Sequence, residues 1–200
     1  MRLDRLTPDT SGMPYPLLTE RLTIEPMTMR DLASFVTYRQ DPEIARYQSW
    51  EPTFSTQQGE KLITAQEGVL LPSPGEWLQL AIHDRTTGEL LGDLAVHAIA
   101  VTERSFEIGF TLAQPHQGKG IAREATQRLL EFLFTEADAQ AVRASCDRRN
   151  APSVALLDAL GFRARPTEGW VESFKGEKVS VDVFEITSKD GIVENVVTRL

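Results

Sequence analysis

One cysteine, three histidines and no long apolar run in 200 residues set the first limits on this chain. The lone thiol, Cys146, leaves no partner for an internal disulfide and no cysteine-based metal site, and it suits a reducing cytoplasm. His83 and His97 fall on strand-like segments separated by a turn, where they read as cross-strand neighbours. Two histidines without a third ligand make a poor metal site, so no metal is expected. No stretch approaches the ~20 apolar residues of a membrane-spanning helix. The opening Met1-Arg2-Leu3-Asp4-Arg5-Leu6 lacks the apolar core of a secretory leader. Basic residues are also short, 21 Lys and Arg against 29 Asp and Glu, a net charge of −8. That balance argues against general nucleic-acid binding, which wants a basic face. It is compatible with a cationic substrate, and solubility alone explains it equally well.

What is present fits one globular domain: 41% hydrophobic and 25% charged residues. The most informative stretch is Gln117-Gly118-Lys119-Gly120-Ile121-Ala122, between the strand-like Phe106–Leu112 and the helix-like Ile121–Glu136. Glycine lets the backbone approach a ligand, and a helix N-terminus offers unpaired N–H groups with partial positive charge. Together they predict an anion site, best suited to phosphate. No hydroxyl follows Gly118-Lys119, which excludes a Walker A loop. Arg123 stands where a dinucleotide fingerprint needs its third small residue. Lys119, Arg123, Arg148 and Arg149 are the nearest basic groups.

Periodicity orders the remainder. Residues 1–16 carry Pro8, Gly12, Pro14 and Pro16 and read as a flexible or draped arm. Leu22–Pro26 is a strand. Thr28 with Asp31 forms a cap for a helix whose Met29, Leu32, Phe35 and Val36 share a face. Asp41-Pro42 opens a short helix. Ser55 with Gln58 has the capping-box form, starting a helix along Leu62, Ile63, Gln66 and Val69. Trp77–His83, Leu90–His97 and Phe106–Leu112 form a meander of three strands. In the last of these, Gly109 predicts a bulge or a close approach by a ligand backbone. Ala122, Ala125, Leu129, Phe132 and Leu133 stripe a long helix. Val142, Ala144 and Cys146 alternate as a strand, Asn150-Ala151-Pro152 starts a helix stopped at Gly161, and Trp170–Phe174 with Val179–Ile186 form a hairpin.

This order, with Gln-x-x-Gly-x-Ala at residues 117–122, resembles the GNAT N-acetyltransferases, and within them the RimJ/RimL-like branch of ribosomal-protein-alanine acetyltransferases. Thr19-Glu20-Arg21-Leu22 with Asp31, Ile108-Gly109-Phe110, and Asn150-x-x-Ser153 ending in Leu160-Gly161-Phe162 carry the rest of the resemblance. It spans residues 17–187, leaving a tail at 188–200. It implies an α/β GNAT fold: a mixed central sheet of about six to seven strands in the order β-α-α-β-β-β-α-β-α-β-β, with helices on both faces.

The resemblance also implies a function, transfer of an acetyl group from acetyl-CoA directly to a primary amine. The pantetheine arm would pair with backbone groups of Phe110 and Leu112. The amides of Gly118, Lys119, Gly120, Ile121 and Ala122 would hold the pyrophosphate, with Gln117 opening the cofactor-binding loop, and Asn150 and Ser153 would border the thioester. A backbone N–H near Phe110 would stabilise the developing oxyanion. Glu107 is the foremost candidate base and Ser153 the proton donor to sulfur. Bland readings stand beside these: Glu107 as a solvated strand carboxylate, Asn150 as a helix cap, Ser153 as a first-turn polar residue.

Leu157 stands where many family members place an acidic tyrosine. Glu168 is displaced from the usual Glu-Gly position by Arg163–Thr167 and ranks below Glu107. His97, Tyr47, Trp50 and Phe54 are candidates for the acceptor pocket, with core packing as the alternative for the aromatics. His116 is expected to be exposed, and Cys146 to pack.

The acceptor is a protein N-terminal amine, as the branch suggests, or a small amine, amino acid or aminoglycoside. An α-amine, with pKa about 8, is about a tenth neutral at pH 7, against about 0.04% for lysine, which favours an α-amine or another weakly basic amine over a free lysine and leaves both acceptor classes open. Succinyl-CoA as donor and a non-catalytic acyl-CoA-binding domain are the competing readings. Ile192, Val193, Val196 and Val197 in the tail suggest docking on the domain or on the second subunit of a homodimer.

Overall fold

In the computed structural model, which describes residues 14–100 and 104–190, the alternating segments join one mixed sheet. Its strands are β1 (Leu17–Leu18), β2 (Leu22–Pro26), β3 (Trp77–Asp84), β4 (Leu90–Ala100), β5 (Ser105–Leu112), β6 (Ala141–Asp147), β7 (Arg163–Ala164), β8 (Trp170–Phe174) and β9 (Glu177–Thr187). The order is β1-β2-β3-β4-β5-β6-β9-β7, with β8 also paired to β9. β1 to β5 run antiparallel, β6 is parallel to β5, and β9 is antiparallel to β6. The seven longer strands are those read from alternation, and β1 and β7 add two-residue edges. Residues 1–13 of the expected arm and the tail positions Ile192, Val193, Val196 and Val197 lie outside the described residues.

Helices cover both faces. α1 (Leu32–Arg39), α2 (Pro42–Ala45) and α3 (Thr56–Ala65) lie on one, α4 (Ile121–Thr135) and α5 (Ala151–Ala159) on the other. On the α4 side Ala125, Leu129, Leu133 and Leu157 meet Leu80, Leu94, Ile108 and Val142. Full burial of each such leucine contributes about 1.5–3 kcal/mol. On the other side Phe35, Val36, Ile44 and Ile63 close over Ala81 and Leu90.

Local chemistry sets the element ends. Ser55 and Gln58 form the expected capping box, with Ser55 N–H donating to Gln58 Oε1 (2.7 Å) and Gln58 N–H to Ser55 Oγ (3.2 Å). The Asp41 side chain caps α2 through the Glu43 N–H (2.9 Å). Lys175 (φ 49°) and Gly176 (φ 79°) both sit in the left-handed region, as a two-residue type I′ hairpin demands. β9 therefore begins at Glu177, two residues earlier than alternation suggested.

Three expectations need correction. Met29 is half exposed, because residues 29–31 wind as a 3-10 turn that rotates it off the α1 stripe. α3 stops at Ala65, where Gln66 turns inward: its side chain accepts from Gln79 N–H (2.7 Å) and donates to Gln79 O (2.9 Å). No bulge occurs at Gly109, since the β4–β5 irregularity lies at Ala98/Ala100.

Candidate active site

β5 and β6 pair only from Ser105 to Glu107 against Ala141 to Arg143. Beyond that point their ladder ends and the sheet splits. Ala113 N–H donates to Leu91 O (2.9 Å), and the register sets Leu94 opposite Phe110 and Gly92 opposite Leu112. Antiparallel alternation then turns the backbone groups of Phe110 and Leu112 away from β4, into the gap. The Gln117 side-chain amide occupies the Leu112 carbonyl (3.0 Å) and ties the following loop to the strand. Gly92 had no signal in the sequence reading. A Cβ there would lie 2.2 Å from Thr111 O, so only glycine lets β4 approach β5 beside the gap.

The loop enters α4 through two left-handed glycines, Gly118 (φ 71°) and Gly120 (φ 77°). Gly120 is the N-cap, and Glu124 N–H makes the first helical bond to its carbonyl. The N–H groups of Ile121, Ala122 and Arg123 therefore precede the intrahelical ladder and remain free to meet an anion. Behind the loop, Arg21 donates from Nη1 to Lys119 O (3.2 Å) and from Nε to Glu124 Oε2 (2.7 Å), while Thr19 Oγ1 donates to Glu124 Oε1 (2.5 Å). The Thr19-Glu20-Arg21 segment thus braces the loop from β1 and β2, a role local patterning did not reveal.

A cleft of about 660 Å³ opens at this junction. Phe110, Leu112, Gln117, Gly118, Gly120, Ile121, Ala122, Asn150 and Ser153 all line it, joined by Tyr47 from the turn after α2. Lys119 does not line it. Arg148 and Arg149 are engaged elsewhere, by Asp182 (2.7 Å) and by Asp147 and Glu177 (both 2.7 Å). Arg123 is the basic side chain in the lining. Asn150 acts as the helix cap, its Oδ1 accepting from Ser153 N–H at 3.4 Å. Leu157 is buried in the core, so no polar group stands at its position.

Glu107 is not in that lining. It sits at the closed base of the gap in a row that crosses the sheet, Trp77–His97–Glu107–Arg143–Glu185. Ser145 Oγ donates to Glu107 Oε1 (2.8 Å), and His97 Nδ1 lies 3.6 Å from Oε2. Glu168 does reach this row through its longer loop, but Arg143 (3.0 Å) and Arg165 (3.4 Å) hold it, and both arginines also engage Glu185.

Other candidates separate from the site. His83 pairs with Leu90 and Thr23, at the far end of β3 from the Trp77–His97 pair, so the two histidines are not neighbours. His83 Nε2 instead meets buried Asp31 (2.8 Å). Burial alone would raise the Asp31 carboxyl, but bonds from His83 and Thr28 outweigh it and hold the group below its ordinary value. His116 is largely covered rather than exposed and lies 3.3 Å from Glu89. Trp50 and Phe54 pack around the Arg39 guanidinium, at 3.8 and 5.1 Å from its carbon. The Cys146 thiol is pushed up to about 11 by burial, with Asp182 and Asp147 adding to it, which disfavours a nucleophilic role.

Residues 21–163 match the family model described as an acetyltransferase (GNAT) domain. The chain belongs to the GNAT acetyltransferases. The p20 protein of Bacillus licheniformis, named an uncharacterized N-acetyltransferase, is 29% identical over 174 residues, covering 87% of this chain and 97% of that protein. Among solved structures, spermidine N-acetyltransferase from Vibrio cholerae in complex with CoA and spermine superposes with a TM-score of 0.75 at 24% identity, covering 86% of this chain and 98% of that one. A GNAT-family acetyltransferase from Bacillus anthracis superposes at 0.73 with 21% identity over 86% and 98% of the two chains. At such identities these structures speak for the GNAT fold alone. GNAT acetyltransferases take their acetyl group from acetyl-CoA, which is the cosubstrate of this chain. The split sheet, the left-handed glycines and the free amides of α4 fit it.

Proposed function

We propose that this protein acetylates the α-amine of a protein or peptide N-terminus, in the manner of the RimJ/RimL-like branch. The observation that carries the reading is the gap between β5 and β6, which opens beside a cleft lined by a helix N-terminus on one side and ends at Glu107 on the other. Bound in the cleft, acetyl-CoA supplies an activated acetyl thioester. The amides at residues 118–122 and Arg123 receive its phosphates, and the Phe110 backbone groups and the Leu112 N–H hold its extended arm. Glu107 takes one proton from the incoming ammonium; as the amine nitrogen bonds the acetyl carbon and the C–S bond breaks, the Ser153 hydroxyl gives a proton to the leaving sulfur and is refilled by the second proton the nitrogen sheds.

The charge on the acceptor side favours a monoamine. Glu185 and Glu168 are neutralised by Arg143 and Arg165, while among the described residues Glu107 meets a hydroxyl and an imidazole. A polyamine with several ammonium groups would need more than one such carboxylate. A relative from Vibrio cholerae provisionally named a ribosomal-protein-serine acetyltransferase, 24% identical, agrees with a protein acceptor. The spermidine N-acetyltransferase neighbour keeps a small amine as the second reading. We place the reaction in the cytoplasm, in keeping with the single free thiol.

Calorimetric titration with acetyl-CoA, CoA and succinyl-CoA, followed by thiol-release assays on peptides with N-terminal alanine or serine and on spermidine, tests the reading. Micromolar acetyl-CoA binding and faster turnover of a peptide than of spermidine is the expected result. No binding would overturn the cleft assignment, and preference for spermidine would overturn the acceptor.

A further inference from the structure

His97 is used by nothing described so far, yet its surroundings are built. Its ring stacks on Trp77 with centroids 4.6 Å apart and planes within 10°. Its Nδ1 is buried without a hydrogen-bond partner among the described residues and lies 3.6 Å from Glu107 Oε2. The opposite Glu107 oxygen is already held by Ser145 Oγ at 2.8 Å, so the carboxylate presents Oε2 to the imidazole. The nearest cation in the row, Arg143, is engaged by Glu185 and Glu168. Across the sheet Glu107 has His97 on its β4 side and Arg143 on its β6 side, and the gap opens along β5 just beyond it. Glu107 is thus the last paired residue before the gap, with the histidine on the side away from β6. Leaving a buried polar nitrogen without a partner is costly, so a proton shared with Glu107 gives it a function.

We propose that His97 is the proton outlet of Glu107, a positioning and relay residue acting behind the base. This rests on the acetyltransferase reading above. Acetylating an ammonium with a thioester yields amide and thiol and releases one proton, which has to leave the site. The ammonium N–H bond breaks and the proton passes to Glu107. The carboxylic O–H then breaks as Nδ1–H forms, and the imidazolium releases a proton to water, restoring both groups. A typical imidazole is more basic than a typical carboxylate by about two pH units, so the second transfer draws the proton onward and frees Glu107 for the next turnover. Trp77 holds the ring plane and Ser145 holds the carboxylate, which fixes the pair without an added ligand.

The test uses the full chain, with the N-terminal alanine and serine peptides and spermidine as acceptors. His97→Phe keeps a stacking ring and removes the proton acceptor, and His97→Ala is assayed with added imidazole. Expected are a fall in kcat/KM of about 10- to 100-fold at pH 7, loss of the bend between roughly pH 5 and 8, and partial rescue of His97→Ala by imidazole. Acetyl-CoA affinity stays within about twofold, since His97 lies outside the cofactor cleft.

A readout independent of turnover is the ring nitrogen NMR spectrum of the free protein, where only three histidines contribute. Glu107→Gln is expected to move the His97 Nδ1 resonance, because the carboxylate oxygen facing it is replaced, and to leave the other two histidines in place. An unmoved Nδ1 resonance, or an unchanged pH profile in an active His97→Phe enzyme, overturns the relay alone. Wild-type protein that binds acetyl-CoA yet acetylates none of the amines overturns the transferase reading and the relay with it.

Discussion

Arg21 and Glu124, 103 residues apart in sequence, meet through Arg21 Nε and Glu124 Oε2 at 2.7 Å, directly behind the glycine loop. The same guanidinium donates to Lys119 O, and its Nη2 would lie 3.6 Å from a Cβ at Gly120. One side chain thus fixes both the loop backbone and the first turn of α4. Charge-assisted bonds of this kind are worth more than neutral ones.

Arg21→Ala is expected to weaken acetyl-CoA binding by about tenfold, or about 1.4 kcal/mol, with a smaller change in global stability. Calorimetry beside a denaturation curve separates the two, and unchanged affinity would show the loop to be self-supporting. Glu124 adds a pH signature. Partial burial would raise its carboxyl, but bonds from Thr19 and Arg21 outweigh that and hold it below the ordinary value near 4.5. A depressed carboxyl contributes its stability above the unfolded value and loses it as pH falls through the folded one. The brace is thus complete at neutral pH and is released only in acid below about 4.5, while Glu124→Gln should remove that dependence.

That contact explains where sequence reading stopped. Phe106, Ile108, Phe110 and Leu112 alternate visibly, Ser55 and Gln58 announce a helix start, and Gly118 and Gly120 before an amphipathic run announce an anion site. These signals are local and follow from the two-residue and 3.6-residue periods. Arg21 bracing Glu124, Arg148 spent on Asp182, and Glu168 drawn to Arg143 are choices of partner across the fold. No local period encodes them. His83 and His97 looked adjacent because each lies near a strand end, but the long β3–β4 ladder sets them six residues apart along the sheet, about 20 Å. The register decides, and only the assembled sheet reveals it.

A second prediction concerns the polar cluster beneath α1. Asp93, 1% exposed, accepts from Gln79 Nε2 (2.6 Å) and from the Tyr38 hydroxyl, with Arg39 Nη2 at 3.7 Å. The Arg39 guanidinium is clasped by Phe35 and Trp50 at 4.1 and 3.8 Å. Burial raises the Asp93 carboxyl, against which Arg39 and the bonds from Tyr38 and Gln79 act only in part. Asp93→Ala leaves a buried guanidinium without a counter-charge, and a loss of roughly 3–5 kcal/mol is expected in urea unfolding. A loss under about 1 kcal/mol would mean that aromatic contacts alone sustain Arg39.

The last prediction concerns the β8–β9 hairpin. Lys175, at its tip, donates from Nζ to Ala45 O (2.8 Å) and Trp50 O (2.5 Å) and lies 3.6 Å from Glu51 Oε2. It thereby ties the hairpin to the end of α2 and to the segment that follows it. That segment carries Tyr47, an acceptor-pocket candidate that lines the cleft. Removing a charged donor from two carbonyls costs about 1.5–3 kcal/mol per bond at most, and less here because water reaches the exposed tip. Lys175→Ala should therefore loosen the hairpin locally without unfolding the chain. Amide exchange is expected to quicken over Trp170–Phe174 and around Trp50, while acetyl-CoA affinity holds. The KM for the peptide amine should rise about three- to tenfold with kcat within a factor of two, the pattern of lost ground-state binding. A drop in kcat at constant KM would instead tie the hairpin to the chemical step, and unchanged kinetics with faster exchange would confine Lys175 to stability.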